Sequence, residues 1–568
     1  MVNLETTSQI VDLADKLDQS CQLEVNSDPT KKSSAKKKKN KKKSGEVEPL
    51  NPFYEKALRH YPIQLKNTKA KGRHAVAAEN LKEGTVLCTE QATAFVVRSD
   101  FIDQQCHVCL DDLEGEKLMC SDCNKAFYCS KTCMENDDLH PVICGPISQV
   151  DAIGRSTDVD SDLLRLMTIL MACKERDEKS GRKWTGDGEI QHTPYWCVDE
   201  LVSHRDLTEP AFINVVTEAS QRLLYEMPES IHIPVEEMVT LACRINSNAH
   251  GLGDNQSRNT DAALGIFPLC ASFYNHGCNP NATFVGLPNG ELSIRTIRPV
   301  SKDEELVMSY IDLYCDRDER RQELLATKHF WCKCKRCTGP IEKSVDRFLH
   351  GIVCKQCTND VYVIPPTPME ILVKGQSNLH VSTKPFKCAS CGHETACEEV
   401  RQLLENADRS YAEGMSAIRQ YRDYNRGAKK LELLTKSGCT KSGELHTLNS
   451  IRFNSYIPLM NCKRRAGDLK GAIEVNKSIL AMMEQYSDIG LLPGNTSEVS
   501  DFWQNLGELC TEMASDTQKR SIVLEKKWLK EARSAFSNAL LVRGIVFGKN
   551  HPKTKAIEKL ITTLTSSL

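Results

Sequence analysis

Between residues 106 and 144 the chain spaces eight soft candidate ligands: Cys106, Cys109, Cys120, Cys123, Cys129, Cys133, His140 and Cys144. No other feature restricts the fold as tightly. So short a polar segment cannot bury a core unaided. Eight soft ligands suffice for two tetrahedral zinc ions, and metal binding then supplies the folding energy that a core would.

The same chemistry recurs downstream. The chain has 568 residues and 26 cysteines. Its N-terminus lacks the apolar run of a signal peptide, and no stretch reaches the ~18 apolar residues of a membrane span. An intracellular, reducing setting is therefore expected, cytoplasmic and/or nuclear, in which spaced cysteines read as metal ligands rather than disulfides. Cys354-x-x-Cys357 and Cys388-x-x-Cys391 form a pair of knuckles like those of a zinc ribbon. The run Cys332-Lys333-Cys334-Lys335-Arg336-Cys337 offers three thiols where a tetrahedral site wants four, and Cys278 is the natural fourth. About four structural zinc ions are expected. The other cysteines read as buried or surface thiols.

Cys278 lies in Tyr274-Asn275-His276-Gly277-Cys278-Asn279-Pro280-Asn281. That stretch is too polar and turn-prone for the interior of a strand or helix. An apolar run from Leu264 to Phe273 leads in, and a β-like run from Ala282 to Val285 leads out. A polar knuckle between two buried segments is where a binding site is expected, the alternative being a surface Asn-Pro turn. Tyr310 follows the apolar strand Glu305 to Met308 and precedes the three cysteines. Near the start, the runs Lys71–Ala77 and Leu81–Leu87, joined by Lys82-Glu83-Gly84, read as a hairpin.

The knuckle, Tyr310 and the Cys-x-Cys-x-x-Cys run together resemble a SET domain with its post-SET zinc site. The cysteine-rich segment, with Tyr128-Cys129-Ser130, resembles a MYND finger. A MYND finger inserted in a SET domain is the layout of the SMYD family, and the resemblance covers about residue 60 to the C-terminus. It implies an S-adenosylmethionine-dependent protein-lysine methyltransferase. By that resemblance Gly72, Arg73, His74, Asn248, Ser272, Asn275, His276, Tyr310 and Phe330 surround the cofactor, and Tyr310 is the catalytic residue. Asn248 would sit on a short Asn-containing strand, with Asn246 as the rival register. One finger site would be Cys106, Cys109, Cys129 and Cys133, the other Cys120, Cys123, His140 and Cys144.

The chain departs from the family pattern in three places. His74 stands where the cofactor loop usually has its second Gly. Lys328 stands where a second active-site Tyr is common, two residues before Phe330. In the finger, Met134 follows Cys133 and no Trp precedes His140, which leaves the family's peptide groove open to question.

The resulting expectation is an α+β chain: a SET-type β fold with an inserted MYND finger, a post-SET zinc site, a zinc-ribbon-like insert and a C-terminal α-helical, tetratricopeptide-like domain. The parts run as a lysine-rich tail (1–48), the first SET segment (49–105), the finger (106–144), a helical insert (145–240), the SET core (241–330), the post-SET and ribbon cysteines (331–397) and the helical domain (398–568). In the insert, Leu163, Leu166, Met167, Leu170 and Met171 recur at helical spacing and read as core. In the C-terminal part, Ala472, Ile473, Asn476, Ile479, Leu480 and Met483 form such a face, and Ala532, Ala535, Phe536, Ala539 and Leu540 repeat it. A packing domain and a concave surface for peptide or protein partners both fit.

Lys31 to Lys43 is largely lysine, a block that cannot form a core. It reads as an import signal, a nucleic-acid contact or a solvated tail. No aromatic interleaves the lysines, so base stacking is not expected. A formal net charge of −2 gives no overall bias toward polyanions. A monomer acting on a protein substrate with a target lysine is expected, with no membrane partner. The alternative is a non-catalytic adaptor on a SET scaffold.

Overall fold

The computed structural model describes residues 48–113, 115, 117–180, 193–253, 261–374, 384–435, 443–518 and 521–567. The lysine-rich stretch of the expected tail lies outside these residues. The first described element is helix α1 (Pro52–Leu58), whose N-cap Asn51 accepts the Phe53 amide at 3.0 Å. Strands β1 (Ile63–Thr68) and β2 (Gly72–Ala77) follow as an antiparallel pair closed at Thr68 and Gly72. Gly72 has φ +65°, a left-handed conformation that a side chain would strain.

The hairpin expected between β2 and the next run does not form. Strand β3 (Val86–Gln91) starts well beyond the end of β2, a connection too long for a tight hairpin. Each run pairs with a distant partner instead. Strand β3 joins β11 (Glu291–Thr296), which joins β10 (Ala282–Leu287), all antiparallel. A second antiparallel sheet runs β4 (Ala94–Val97), β8 (Asp261–Ile266), β7 (His250–Gly253). The inward residues of these strands, among them Ala75, Leu87, Ala263, Leu292 and Ile294, share one core with Phe267, Phe273 and Tyr274.

The finger interrupts these strands. Its own elements are small: strands β5 (Leu118–Met119) and β6 (Phe127–Tyr128) and helix α2 (Lys131–Asn136), N-capped by Ser130. Its buried apolar cluster is Cys106, Cys120, Cys123, Ala126 and Tyr128, so ligand side chains stand where a core would be. His140 opens the long helix α3 (His140–Thr157), which carries the chain out of the finger. The insert continues with α4 (Ser161–Lys179), α5 (Trp196–Asp199), α6 (Pro210–Glu226) and α7 (Val235–Asn248). Leu163, Leu166, Met167, Leu170 and Met171 on α4 are all buried, each contributing about 1.5–3 kcal/mol by burial. They pack with Met238, Val239, Leu241 and Ile245 of α7.

The second half of the SET fold is built around the knuckle. Helix α8 (Pro268–Phe273) leads into β9 (Asn275–His276), which lies parallel to β12 (Val307–Met308). The polar stretch thus contains a short strand that sequence alone does not predict. It pairs because the Asn281 side chain completes the ladder: its oxygen accepts the Val307 amide at 2.8 Å and its nitrogen donates to the Glu305 carbonyl at 2.8 Å. A Cβ at Gly277 would lie 2.8 Å from Val307, so only glycine lets the two segments approach this closely.

After β12 comes α9 (Arg317–Lys328), held at its start by a capping box of Asp316 and Glu319 and ended by His329 at φ 56°. Helices α10 (Lys335–Thr338) and α11 (Asp346–Leu349) follow. The ribbon insert holds β13 (Tyr362–Val363), β14 (Phe386–Cys388) and β15 (Glu394–Thr395) in one antiparallel sheet, with α12 (Met369–Lys374) between the first two.

The rest is helical: α13 (Cys397–Arg419), α14 (Tyr424–Thr435), α15 (Ser450–Arg465), α16 (Leu469–Asp488), α17 (Ser497–Gln518), α18 (Ile522–Val546) and α19 (Pro552–Ser567). Each packs on the next in sequence. The expected faces of α16 and α18 are buried apart from Leu540, which is half-buried. This domain shares its core with the SET fold: Cys278, Leu313 and Cys332 cluster with Phe453, Tyr486 and Leu491, and Tyr314 stacks on Phe453 at 4.8 Å.

Candidate active site and metal centres

Stretches far apart in the chain wall a single cavity of about 530 Å³. They come from the β1–β2 turn, the loop after α5, the α7–β7 junction, the knuckle, the end of β12 and the end of α9. Eight of the nine expected cofactor residues line it: Gly72, Arg73, Asn248, Ser272, Asn275, His276, Tyr310 and Phe330. The ninth does not. His74 is buried away from the cavity, its Nδ1 3.0 Å from the Gly72 carbonyl. Successive side chains of a strand point to opposite faces, so with Arg73 on the cavity His74 must face away. The departure from Gly at this position therefore does not obstruct the cavity.

Asn248 is on the wall, while Asn246 is exposed and off it. The strand expected to carry Asn248 is instead the last turn of α7, because the apolar face of that helix stays buried as far as Ile245. Asn248 Nδ2 donates to the Val202 and Arg244 carbonyls, both at 2.8 Å, fixing the loop after α5 against the helix end. His204 and His250, also on the wall, carry no local sequence signal. Asn281, the clamp behind the knuckle, was within the polar stretch but had no visible role.

The pairing of β9 with β12 sets Asn275 and His276 beside Tyr310. The Tyr310 amide donates to His276 Nδ1 at 3.1 Å, and its hydroxyl donates to the Tyr274 carbonyl at 2.7 Å. The rings of His276, Tyr310 and Phe330 gather at 5.5–6.4 Å, with Phe330 perpendicular to Tyr310. Burial, with Glu305 adding to it, pushes the Tyr310 hydroxyl well above its ordinary pKa, so it stays protonated and able to donate. Burial also pushes His276 down to about 4, leaving the ring neutral.

Among the described residues, three cationic side chains and no carboxylate line the cavity. Lys71 is paired with Glu305 and Arg73 with Glu200, whose carboxylate it meets at 3.0 Å. Lys328 is different: its Nζ donates to the Ser247 carbonyl at 3.2 Å, and among the described residues no carboxylate lies in reach. Burial lowers its pKa.

These walls fit the cofactor that the SET resemblance implies. The Ser272 Oγ is buried with no hydrogen-bond partner among the described residues. A buried hydroxyl and a half-buried ammonium with no counter-charge among the described residues are costly unless a polar ligand meets them. Phe330 and His276 offer ring faces for a heteroaromatic base.

The four expected ligand sets come together: Cys106, Cys109, Cys129, Cys133; Cys120, Cys123, His140, Cys144; Cys278, Cys332, Cys334, Cys337; and Cys354, Cys357, Cys388, Cys391. Within each set the ligand atoms lie within 4.8 Å of one another. The Sγ–Sγ separations include 3.6 Å for Cys109–Cys129, 3.7 Å for Cys120–Cys144, 3.8 Å for Cys278–Cys332 and 3.7 Å for Cys354–Cys391. Zinc–sulfur bonds of about 2.3 Å in a tetrahedron put sulfurs about 3.8 Å apart, so the donor sets fit zinc. Burial disfavours the Cys354 thiolate, but the Cys357 and Gln356 amides outweigh it and hold the thiol at about 6.

The post-SET set has a charged backing. Arg317, Arg320 and Arg336 all reach the buried carboxylate of Asp346, at 3.2, 2.9 and 2.7 Å. Arg320 is fully buried, and its Nη2 is 4.0 Å from Cys337 Sγ. Three guanidiniums outnumber their one carboxylate. A zinc tetrathiolate at this set would be net negative and would supply the missing counter-charge.

The SET domain family matches residues 72–311. The histone-lysine N-methyltransferase ASHR1 of Arabidopsis thaliana is 25% identical over 353 residues, covering 61% of this chain and 67% of that protein. The human histone-lysine N-methyltransferase SMYD1 is 26% identical over 290 residues, 48% of this chain. The chain spans only 55% of the length of that relative. A SET and MYND domain-containing protein of Dictyostelium discoideum is 21% identical over 378 residues, 58% of this chain and 95% of its own length. With its SET domain split by a two-site cysteine–histidine finger and followed by a post-SET cysteine cluster, the chain has the layout of the SMYD family of SET and MYND domain proteins, to whose members it is similar.

Proposed function

We propose that this protein is an S-adenosylmethionine-dependent protein-lysine N-methyltransferase acting on a histone or non-histone protein. The observation that carries the reading is the convergence of Asn275, His276, Tyr310 and Phe330 on one cavity through the β9–β12 pairing. The relatives named as lysine methyltransferases support the reaction class.

A substrate lysine, with a pKa near ~10.4 in water, must reach the site as the neutral amine. Desolvation in a cavity walled by Phe330, Met308 and Phe284 favours that form. S-adenosylmethionine, when bound, supplies a sulfonium methyl group. Tyr310 stands on the cavity wall with its hydroxyl anchored on the Tyr274 carbonyl, and its oxygen lone pairs can still accept from the incoming amine and fix its approach. His276, held neutral, does not compete as a cation with the sulfonium charge. Asn275 Nδ2 donates to the Lys71 carbonyl at 3.2 Å and ties the knuckle to the β1–β2 turn. Zinc is structural, since the four ligand sets are complete within the protein.

The deciding experiment is calorimetric binding of S-adenosylmethionine beside transfer of labelled methyl groups to cell-extract proteins. Binding with labelling is expected; neither binding nor labelling overturns the reading. The second reading, a non-catalytic adaptor binding partners through its zinc modules and tetratricopeptide-like helices, is favoured by Lys328 on the cavity wall. We also propose a monomer, cytoplasmic and/or nuclear. If Lys31 to Lys43 is an import signal, deleting residues 1–45 moves the protein out of the nucleus; an unchanged distribution overturns that.

A further inference from the structure

The cations of the cavity divide into two kinds. Lys71 and Arg73 arrive already neutralised by Glu305 and Glu200, which stand behind the wall. Lys328 arrives with only a backbone carbonyl at 3.2 Å. Its neighbours add no negative charge: His204 and His250 share the wall, and the His204 ring lies 5.3 Å from that of His329. The C-terminal end of α9, from which Lys328 projects, gives partial relief through its exposed carbonyls. A long, half-buried lysine on the wall of a ligand cavity, with no acid partner among the described residues, is set up to meet an anion that comes with the ligand.

The cofactor proposed above carries one carboxylate, on its methionine portion. We propose that Lys328 is the residue that recognises that carboxylate, so that this chain selects its cofactor by an ion pair at a position where its family commonly has a neutral tyrosine. The assignment rests on the cofactor reading of the cavity. The alternatives on the page are weaker. Arg73 spends two of its guanidinium nitrogens on the Glu200 carboxylate and carbonyl, at 3.0 and 2.8 Å. Lys71 is more exposed than Lys328 and bound to Glu305. The same lysine could instead meet an acidic side chain of the protein substrate, and the experiment separates these two sources of carboxylate.

The experiment is calorimetry of the full-length zinc-loaded protein and its Lys328→Met and Lys328→Arg variants. The probes are S-adenosylhomocysteine and its decarboxylated amine analogue, with zinc content and circular dichroism as checks of folding. A charge-assisted bond is expected to make Lys328→Met bind S-adenosylhomocysteine about ten- to a hundredfold more weakly than wild type. Its affinity for the decarboxylated probe should stay within about twofold of wild type. Lys328→Arg should keep the wild-type preference. Unchanged affinity of Lys328→Met for S-adenosylhomocysteine overturns the assignment and leaves the substrate carboxylate as the source. Equal loss of both probes also overturns it, by showing a general structural role. Wild type that binds neither probe overturns the cofactor reading itself, an outcome distinct from the other two.

Discussion

His276 Nε2 lies 3.2 Å from Cys278 Sγ, while its Nδ1 accepts the Tyr310 amide at 3.1 Å. Because Nδ1 accepts, the ring proton sits on Nε2 and points at the sulfur of a candidate zinc ligand. One imidazole thus joins the post-SET cysteine set to the backbone of the proposed catalytic residue. The knuckle supplies both the metal ligand and the cavity wall within two residues, so metal and ligand sites are mechanically one unit.

Removing that thiolate tests the coupling. Cys278→Ser is expected to lose one of about four zinc ions and, with it, most affinity for S-adenosylhomocysteine. Cys357→Ser, in the ribbon, is expected to lose one zinc as well but to keep cofactor affinity within about twofold. Elemental analysis beside calorimetry checks both. Equal effects of the two variants on binding would deny the link.

Tyr310→Phe keeps the ring and deletes the hydroxyl that donates to the Tyr274 carbonyl. Turnover is expected to fall about ten- to a thousandfold while cofactor affinity changes little, the pattern of an interaction made chiefly in the transition state. Single-turnover kinetics on a labelled substrate measures this, and full activity would remove Tyr310 from its assigned role.

Glu90 is a buried carboxyl on β3 that accepts from the Thr193 hydroxyl at 2.7 Å and from the Leu269 and Cys270 amides at 3.1 and 2.8 Å, fastening α8 above the knuckle. Burial raises its pKa from 4.5 to about 7, against the opposing effect of those donors. The folded state therefore binds the proton more tightly than the unfolded one. The stability this contributes is fully present below about 4.5 and is lost as pH rises through about 7. The full swing is about 3 kcal/mol. Denaturant titrations between about pH 5.5 and 8 should show stability falling with pH in wild type and a flatter profile in Glu90→Gln. Identical slopes would contradict the assignment.

Asp346 is the single carboxylate among Arg317, Arg320 and Arg336. Asp346→Asn should destabilise the protein by about 3–5 kcal/mol, because it leaves buried guanidiniums without their anion. Chemical denaturation measures the loss, and a change below about 1 kcal/mol would show that the zinc thiolates alone balance the cluster.

The sequence by itself determined the four candidate ligand sets and, through the resemblance it carries, eight residues of the cavity wall. Cysteine spacing is a local constraint, and a site of four thiols has few ways to close; even Cys278, far from Cys332, Cys334 and Cys337, was identifiable because three ligands need a fourth. Buried helical faces such as Leu163–Met171 were legible for the same reason, since periodicity is written within a single element. What only the tertiary structure decided depends on pairing between distant segments. No local pattern tells that β2 and β3 ignore each other, or that β9 finds β12 through the Asn281 side chain. Nor does one tell that His74 turns inward while Arg73 faces the cavity, or that a helix delivers Asn248. The lone charge of Lys328 is the clearest case. A lysine in a sequence is simply a lysine, and whether it has an acid partner depends on which carboxylates the fold brings within a few ångströms of it.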